Sequence, residues 1–255
     1  MSEQRFAGRT ALVTGAAKGI GAAVVRRLAS DGAFVAINDI NEPGAQTLSD
    51  DINAAGGRTV VVAADLSDAE ATAAMVDKAL ALLGGHIDIM VNNAGGSCMA
   101  LGRYVPFEQQ TIADIDWELA VNLRSAIQCV QKVLPAMKER KYGRIVNLSS
   151  ICGTAGMPGI PVYSSSKGAV ISLSKSLAIM YGSFGITVNC VAPAAVTTRP
   201  GMEKHGITTV LGRPSSADDI ANLICYLASD EAAFVTGQCH LIDGGRTLGP
   251  KAGKI

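Results

Sequence analysis

The sequence is poor in aromatic residues and has no excess of charge of either sign. Phe, Tyr and Trp make up 4% of the 255 residues, so few side chains are available to stack on nucleic-acid bases. Lys and Arg together number 22, as do Asp and Glu, and the net charge is therefore zero. No basic surface favours a polyanion. We predict neither a nucleic-acid partner nor membrane association.

Signals for export and membrane insertion are also missing. The first residues, 1–5, are polar and lack the apolar segment of a secretory signal. A long uncharged stretch lies between Lys175 and Arg199, but its Gly, Asn and Pro residues fit a helix end, a turn and a strand better than a membrane span. The six cysteines form no CxxC pair. We therefore expect reduced, mostly buried thiols in a cytoplasmic protein.

Hydrophobic residues are abundant, at 48%, and occur as short β-branched runs alternating with longer amphipathic segments. The runs are apolar throughout, which is typical of parallel strands covered on both faces. The predicted strands are Thr10–Thr14, Phe34–Asn38, Thr59–Ala63, Ile87–Asn92, Arg144–Leu148, Thr187–Ala192 and Cys239–Ile242. The predicted helices lie near 19–31, 42–55, 68–83, 114–139, 163–182 and 216–229. This alternation predicts a single α/β domain over residues 1–255, with a doubly wound, seven-stranded, mostly parallel, Rossmann-like sheet and helices on both faces.

A glycine-rich turn, Thr14–Gly21, joins the first predicted strand to a helix. In a doubly wound sheet, ligands bind at the carboxyl ends of the strands. The glycines let the backbone turn tightly and approach a pyrophosphate, whose charge is stabilised by the helix N-terminus. By itself, such a turn also fits an ordinary strand–helix connection. The residues of this turn that we expect to contact a nucleotide are Gly15, Lys18, Gly19, Ile20 and Gly21.

Acidic residues follow the second and third predicted strands. A carboxylate at Asp39 accepts hydrogen bonds from the adenosine ribose and repels a 2′-phosphate, which favours NAD over NADP. Lys18 acts slightly in the opposite direction, because a cation near the ribose pairs with that phosphate. Asp65 and Leu66 follow the third strand, where the carboxylate reaches the adenine amino group. A helix N-cap shared with Ser67 is an equally good interpretation of Asp65.

Small polar residues and a Tyr–Lys pair follow the later strands. Tyr163 and Lys167 are four residues apart and share one helical face. An ammonium group there, together with a positive nicotinamide ring, favours a phenolate, and a shift of about three pKa units corresponds to roughly 4 kcal/mol. Tyr163 then exchanges a proton with a substrate hydroxyl as hydride passes between carbon and cofactor, while Ser150 holds the substrate oxygen. The residues expected to pass close to a ribose are Asn93, Ala94 and Gly95.

Taken together, these motifs resemble those of the short-chain dehydrogenase/reductase family. The resemblance extends over nearly the whole chain, from Thr10 to Gly245. It rests on the glycine-rich turn, the Asn92–Gly95 segment, a serine 13 residues before the tyrosine, and the Tyr-x-x-x-Lys pair. It implies hydride transfer between a nicotinamide cofactor, here NAD, and a small-molecule alcohol or ketone.

The resemblance also implies roles for individual residues. In the family, the asparagine corresponding to Asn122 helps to hold a water beside the lysine, and the lysine binds the nicotinamide ribose. The implied catalytic tetrad is Asn122, Ser150, Tyr163 and Lys167. The segment 189–198 is similar to the family's stretch flanking the nicotinamide, which implies contacts from Pro193, Val196 and Thr198. Ala194 stands where the family usually has Gly, at a cost of about 1 kcal/mol or more if that position requires a positive φ.

Two segments are expected to frame the substrate. The segment 96–113 is longer than the family's usual loop, and the segment 199–211 is shorter.

The family is usually tetrameric, so we expect a homotetramer that pairs the fourth and fifth helices. Small residues that allow close helix approach are Ser164, Ser165, Gly168 and Ala169, and the expected apolar stripe is Ile127, Val130 and Leu134.

The favoured function is an NAD-dependent dehydrogenase that oxidises a secondary alcohol or reduces the corresponding ketone. An NADPH-dependent 3-oxoacyl-[acyl-carrier-protein] reductase is the alternative, but Asp39 and the neutral net charge weigh against it. A dinucleotide-binding scaffold without turnover is disfavoured because all four tetrad residues are present. A hydrolase is disfavoured because no G-x-S-x-G motif occurs. No clustered Cys/His ligand set occurs, so no metal site is predicted.

Overall fold

The computed structural model describes residues 4–197 and 209–248. Nine strands lie within them: β1 (Thr10–Val13), β2 (Phe34–Ile37), β3 (Arg58–Val61), β4 (Ile89–Asn92), β5 (Gly143–Leu148), β6 (Ile186–Pro193), β7 (Val196–Thr197), β8 (Ser215–Ser216) and β9 (Cys239–Ile242). Seven of them form one sheet in the order β3-β2-β1-β4-β5-β6-β9, and every pairing in it is parallel. The predicted doubly wound sheet is confirmed. Its strand order reverses between β1 and β4, which opens a crevice at their carboxyl ends.

Eight α-helices lie in the described residues, and they cover both faces of the sheet. They are α1 (Gly19–Ser30), α2 (Glu42–Ala54), α3 (Ala69–Leu82), α4 (Ile112–Leu119), α5 (Ser125–Arg140), α6 (Cys152–Ala155), α7 (Pro161–Tyr181) and α8 (Ala217–Ala228). Helices α1, α2 and α8 pack on one face, and α3, α5 and α7 on the other. Strands β1, β4 and β5 are buried along their whole length, as their uninterrupted apolar runs predicted. Among these eight helices, none is both long and apolar enough to cross a membrane.

The fourth helix differs from the prediction of one continuous helix over 114–139. A π-helical turn, Ala120–Arg124, separates α4 from α5. Within this turn the side-chain amide of Asn122 donates to the main-chain carbonyl of Glu118, at 2.8 Å. Single π turns of this kind are frequent at functional sites.

Local capping explains where several helices begin. The Asp68 side chain accepts from the first main-chain amides of α3, and Ser216 forms a capping box with Asp219 at the start of α8. The Asn41 side chain caps α2. By contrast, no side chain caps α1, although its N-cap residue Lys18 has the extended conformation that precedes a helix. The N-terminus of α1 is therefore available to an anion that enters the crevice.

Candidate active site

A cleft of about 540 Å³ lies at the carboxyl ends of the strands and collects most of the predicted site residues. The predicted residues that line it are Gly15, Lys18, Gly19, Ile20, Asp39, Asp65, Leu66, Asn93, Ala94, Gly95, Ser150, Tyr163, Lys167, Pro193 and Val196. Gly21 and Asn122 lie behind this lining. Thr198 and most of the second substrate segment, 199–208, lie outside the described residues.

The glycine-rich turn is shaped by close backbone approaches. Gly15 and Gly19 have φ angles of 62° and 60°, a region that favours glycine. A methyl group on Gly21 would lie 2.5 Å from the Gly15 carbonyl oxygen, so only glycine fits there. The Asn93 amide donates to the carbonyls of Thr14 and Gly15, each at 2.8 Å, and thereby ties the turn to the end of β4. With the uncapped N-terminus of α1, this turn fits the pyrophosphate of a dinucleotide.

The Asp39 carboxylate is fixed at the tip of β2. Its two oxygens accept from the main-chain amides of Ala17 and Asn41, each at 2.9 Å. The negative charge is therefore held beside the glycine-rich turn and lines the cleft. At the tip of β3, Asp65 accepts from the Ser67 amide at 2.8 Å, but the N-cap of α3 is Asp68. The alternative interpretation of Asp65 as a helix cap shared with Ser67 is thus wrong, because the helix begins one residue later than it required.

Tyr163 and Lys167 meet in the cleft beside Ser150. The Lys167 ammonium lies 5.7 Å from the centre of the Tyr163 ring and donates to the Leu148 carbonyl at 2.8 Å. The Ser150 hydroxyl lines the cleft and accepts from the Cys152 amide at 3.2 Å. Its neighbour Ser149 instead donates to the main-chain carbonyl of Lys167 and anchors α7. Both serines line the cleft, but the Ser149 hydroxyl is committed to that carbonyl, whereas the Ser150 hydroxyl interacts with the Tyr163 phenol.

Burial dominates the protonation of this pair in the polypeptide alone. It raises the pKa of Tyr163 to about 12; the charges of Cys152 and Glu118 add to this, and the hydrogen bond with Ser150 acts in the opposite direction. Burial also lowers the pKa of Lys167 to about 8. The predicted lowering of the Tyr163 pKa includes the charge of a bound nicotinamide ring, and it stays a prediction for the enzyme with its cofactor. At neutral pH, Tyr163 is a neutral phenol that can donate a proton.

Asn122 lies beside the lysine and holds the chain that follows β4. Its side-chain oxygen accepts from the Gly96 amide at 3.0 Å, and its amide donates to the Gly96 carbonyl at 2.8 Å. A methyl group on Gly95 would lie 2.5 Å from the Asn122 side-chain oxygen and 2.9 Å from the Lys167 ammonium. Gly95 therefore separates two members of the predicted tetrad, and its missing side chain sets their spacing.

Ala194, directly after β6, carries no backbone strain. In the chain from 4–197 and 209–248, Lys141 is the one non-glycine residue with a positive φ. Ala194 lines the cleft without adopting that conformation. The cost considered for an alanine at this position therefore does not arise.

Sequence reasoning missed part of the cleft wall. Ala100, Leu101, Trp117 and Val121 line the cleft together with Gly96. Three of these residues fall within the predicted substrate segment 96–113. Val121 is next to Asn122 in the sequence, so its place in the cleft wall could have been inferred from that neighbour. Trp117 had no such signal, because it lies inside a predicted helix and belongs to none of the motifs.

The first substrate segment adjoins the loop that precedes α7. It contains the 3-10 turns Met99–Leu101 and Phe107–Gln109. A methyl group on Gly159 would lie 3.3 Å from the Met99 side-chain methyl and 3.6 Å from the Tyr104 ring. The segment after β4 and the loop before α7 thus meet through these side chains, next to the part of the segment that lines the cleft.

A doubly wound sheet with a dinucleotide turn at one end of its cleft and a tyrosine, lysine and serine at the other defines an oxidoreductase. The family model described as enoyl-(acyl carrier protein) reductase matches residues 15–247. The chain belongs to the short-chain dehydrogenase/reductase family.

Named relatives span nearly the whole chain. The (2S)-[(R)-hydroxy(phenyl)methyl]succinyl-CoA dehydrogenase subunit BbsD of Thauera aromatica is 39% identical over 94% of this chain and 97% of its own length. A 3-oxoacyl-[acyl-carrier protein] reductase of Brucella melitensis, solved with NAD, is 32% identical, with a TM-score of 0.88 over 95% of this chain and 92% of that chain. A blue fluorescent protein from a metagenomic library, solved with NADPH, is 30% identical, with a TM-score of 0.86 over 95% and 99%.

Proposed function

We propose that the protein is an NAD-dependent dehydrogenase/reductase that interconverts a secondary alcohol and its ketone. The observation that carries this proposal is the meeting of Tyr163, Lys167 and Ser150 in the cleft that the glycine-rich turn also lines. The relatives support hydride chemistry, since both dehydrogenases and reductases occur among them. The experiment is a panel of secondary alcohols, diols, polyols and steroids, incubated with NAD and followed by NADH absorbance. Absence of turnover across the panel, and of the corresponding ketones with NADH, would reject the proposal.

The side chains divide the reaction between them. The nicotinamide cofactor supplies the hydride acceptor in oxidation and the donor in reduction. Ser150 holds the substrate oxygen beside Tyr163. In reduction the Tyr163 phenol donates its proton to that oxygen, and in oxidation the phenolate accepts it. Lys167 supplies positive charge that favours the phenolate, while Asn122 fixes the main chain next to it.

A preference for NAD is part of the proposal and rests on Asp39. We expect Asp39→Asn to raise the ratio of kcat/KM for NADP to that for NAD about tenfold, which corresponds to about 1.4 kcal/mol. The amide removes the charge that repels a 2′-phosphate and keeps one oxygen to accept from a main-chain amide. Steady-state kinetics with both cofactors measure the ratio. Asp50→Asn, on the exposed face of α2, is the control; a wild-type preference for NADPH would overturn the assignment.

The runner-up is a 3-oxoacyl-[acyl-carrier-protein] reductase. It is supported by the structural similarity to the Brucella melitensis reductase, whose structure holds NAD. The composition favours it less, since an acidic carrier protein calls for a basic patch and the net charge here is zero. A 3-oxoacyl thioester tested alongside the alcohol panel, with NADH and NADPH, separates the two functions by their kcat/KM values.

We propose a homotetramer with a surface different from the expected stripe. Val130 and Leu134 are buried in the protein's own core, so the stripe predicted on the fourth helix is wrong for two of its three residues. Exposed apolar side chains occur instead where the end of α7 adjoins the segment before β9. There, Ile179 is 86% exposed and Phe234 is fully exposed. Covering apolar surface of this kind stabilises an assembly.

The oligomeric state tests this surface. We expect light scattering to give about four times the chain mass of 26.2 kDa. Ile179→Glu is expected to lower that mass, because a buried unpaired carboxylate opposes association. Ile40→Glu, at another exposed apolar position just before α2, is the matched control. A wild-type protein that elutes as a monomer would contradict the proposal.

A further inference from the structure

A buried carboxylate lies behind the cleft wall, and the proposed reaction does not use it. Glu118, in the last turn of α4, is only 2% exposed. One of its oxygens accepts from the main-chain amide of Cys98 at 2.5 Å. The other is buried without a hydrogen-bond partner, and none of the salt bridges in the described part of the chain includes Glu118. Because a buried charge without a cation is costly, its presence calls for an explanation.

Glu118 and Asn122 hold the same short piece of main chain. They are four residues apart in the sequence, and the Asn122 amide also donates to the Glu118 carbonyl. Asn122 binds both polar groups of the Gly96 peptide, while Glu118 binds the Cys98 amide. The segment 96–98 leads from Gly95, which separates Asn122 from Lys167, into the substrate loop. Glu118 thus connects the position of that loop to the position of the tetrad.

The same carboxylate acts electrostatically on the Tyr163 phenol. The groups that act on that phenol are Lys167 on α7, whose ammonium lies 5.7 Å from the ring centre, Ser150 after β5 through a hydrogen bond, and Cys152 on α6 and Glu118 on α4 through their charges. The negative charge of Glu118 disfavours a phenolate, whereas the positive charge of Lys167 favours it. Glu118 also lies beside Cys98, and the pKa of that thiol is affected by the charges of Glu118, Arg103 and Asp114. The charge at position 118 therefore opposes the lysine at the proton-transferring oxygen.

We propose that Glu118 is a positioning residue that fixes the 96–98 main chain beside the tetrad. The inference rests on the proposed function. The negative charge held there also has a directional consequence: it favours the protonated phenol, the form that donates to a carbonyl oxygen in reduction of the ketone. Oxidation requires the phenolate, and its rate rises as the pH increases toward the pKa of Tyr163.

The test uses Glu118→Gln in the full-length protein with the best substrate of the panel. The glutamine oxygen still accepts from the Cys98 amide, but the charge is gone, so the pKa of Tyr163 falls. We expect the alkaline limb of kcat for reduction and the rising limb for oxidation to move to lower pH. KM is expected to change less than about twofold, because the bond to the loop is kept.

Two further variants separate the effect of the charge at position 118 from the effect of the length of the side chain. Glu118→Asp keeps the charge but shortens the side chain, so it is expected to keep the wild-type pH profile and to raise KM about threefold or more. Asp114→Asn, one turn earlier on α4, removes a carboxylate that does not act on Tyr163 and is expected to leave the profile unchanged. Circular dichroism melts verify that each variant is folded.

The outcomes distinguish this proposal from the one on which it rests. An active wild-type enzyme whose Glu118→Gln variant keeps the same pH profile in both directions overturns the role of Glu118 alone. A profile that shifts equally in Asp114→Asn also overturns it, because the effect would then follow from net charge. A wild-type protein without turnover on alcohols, ketones or 3-oxoacyl thioesters rejects both proposals.

Discussion

Replacing Tyr163 by Phe is expected to lower kcat about a thousandfold while leaving dinucleotide binding nearly unchanged. The substitution removes one oxygen atom, the one that donates the proton in reduction and accepts it in oxidation, and such proton transfer contributes about 10² to 10⁴ in rate. The ring itself stays, so the wall of the cleft beside Lys167 keeps its shape. A loss confined to kcat would therefore identify the phenol as the proton-transferring group.

The measurement combines turnover with binding. Steady-state rates give kcat, and quenching of the single Trp by added NAD gives the dissociation constant. Tyr181→Phe is the matched control, because Tyr181 ends the same helix and its ring packs near Phe184 at 6.5 Å between ring centres. Equal turnover by wild type and Tyr163→Phe would contradict the proposed mechanism and support a scaffold that binds a dinucleotide without catalysis.

The architecture was predictable because buried parallel strands leave a direct trace in the sequence. Strands covered on both faces read as short apolar runs, and the register of β1 against β2 and β4 follows those runs. The π turn at Ala120–Arg124 left no such trace. Residues 114–139 read as one helix, and the wider turn is stabilised by bonds from Asn122 to Gly96, which lies 26 positions away.

The candidate site was predictable in its residues but not in its electrostatics. Most of its side chains follow directly after strands, where the fold gathers them at one edge of the sheet. Asn122 came from the resemblance alone, since it lies within a helix. The burial that raises the pKa of Tyr163 in the polypeptide alone could not be predicted, because it depends on the packing of α4, α6 and α7, which spacing does not show. Glu118 was missed for the same reason: nothing in its sequence position marks it as buried.

Gly95→Ala is expected to lower kcat about a hundredfold, although it adds only a methyl group. That methyl would lie 2.5 Å from the Asn122 side-chain oxygen and 2.9 Å from the Lys167 ammonium. Both atoms are committed to hydrogen bonds, with the Gly96 amide and the Leu148 carbonyl respectively. Relieving the clash moves them by about 1 Å, a misplacement that can cost about a hundredfold in rate.

The neighbouring glycine provides the control. A methyl group on Gly96 would meet only Trp117, at 3.9 Å, and the φ of Gly96 is not positive. Gly96→Ala is therefore expected to keep kcat within about twofold and to act, if at all, on KM, since Gly96 and Trp117 both line the cleft. Steady-state kinetics and thermal melts of the two variants separate a local displacement from a loss of stability, which overpacking makes about 1–3 kcal/mol. Wild-type kcat in Gly95→Ala would show that the spacing between Asn122 and Lys167 does not limit turnover.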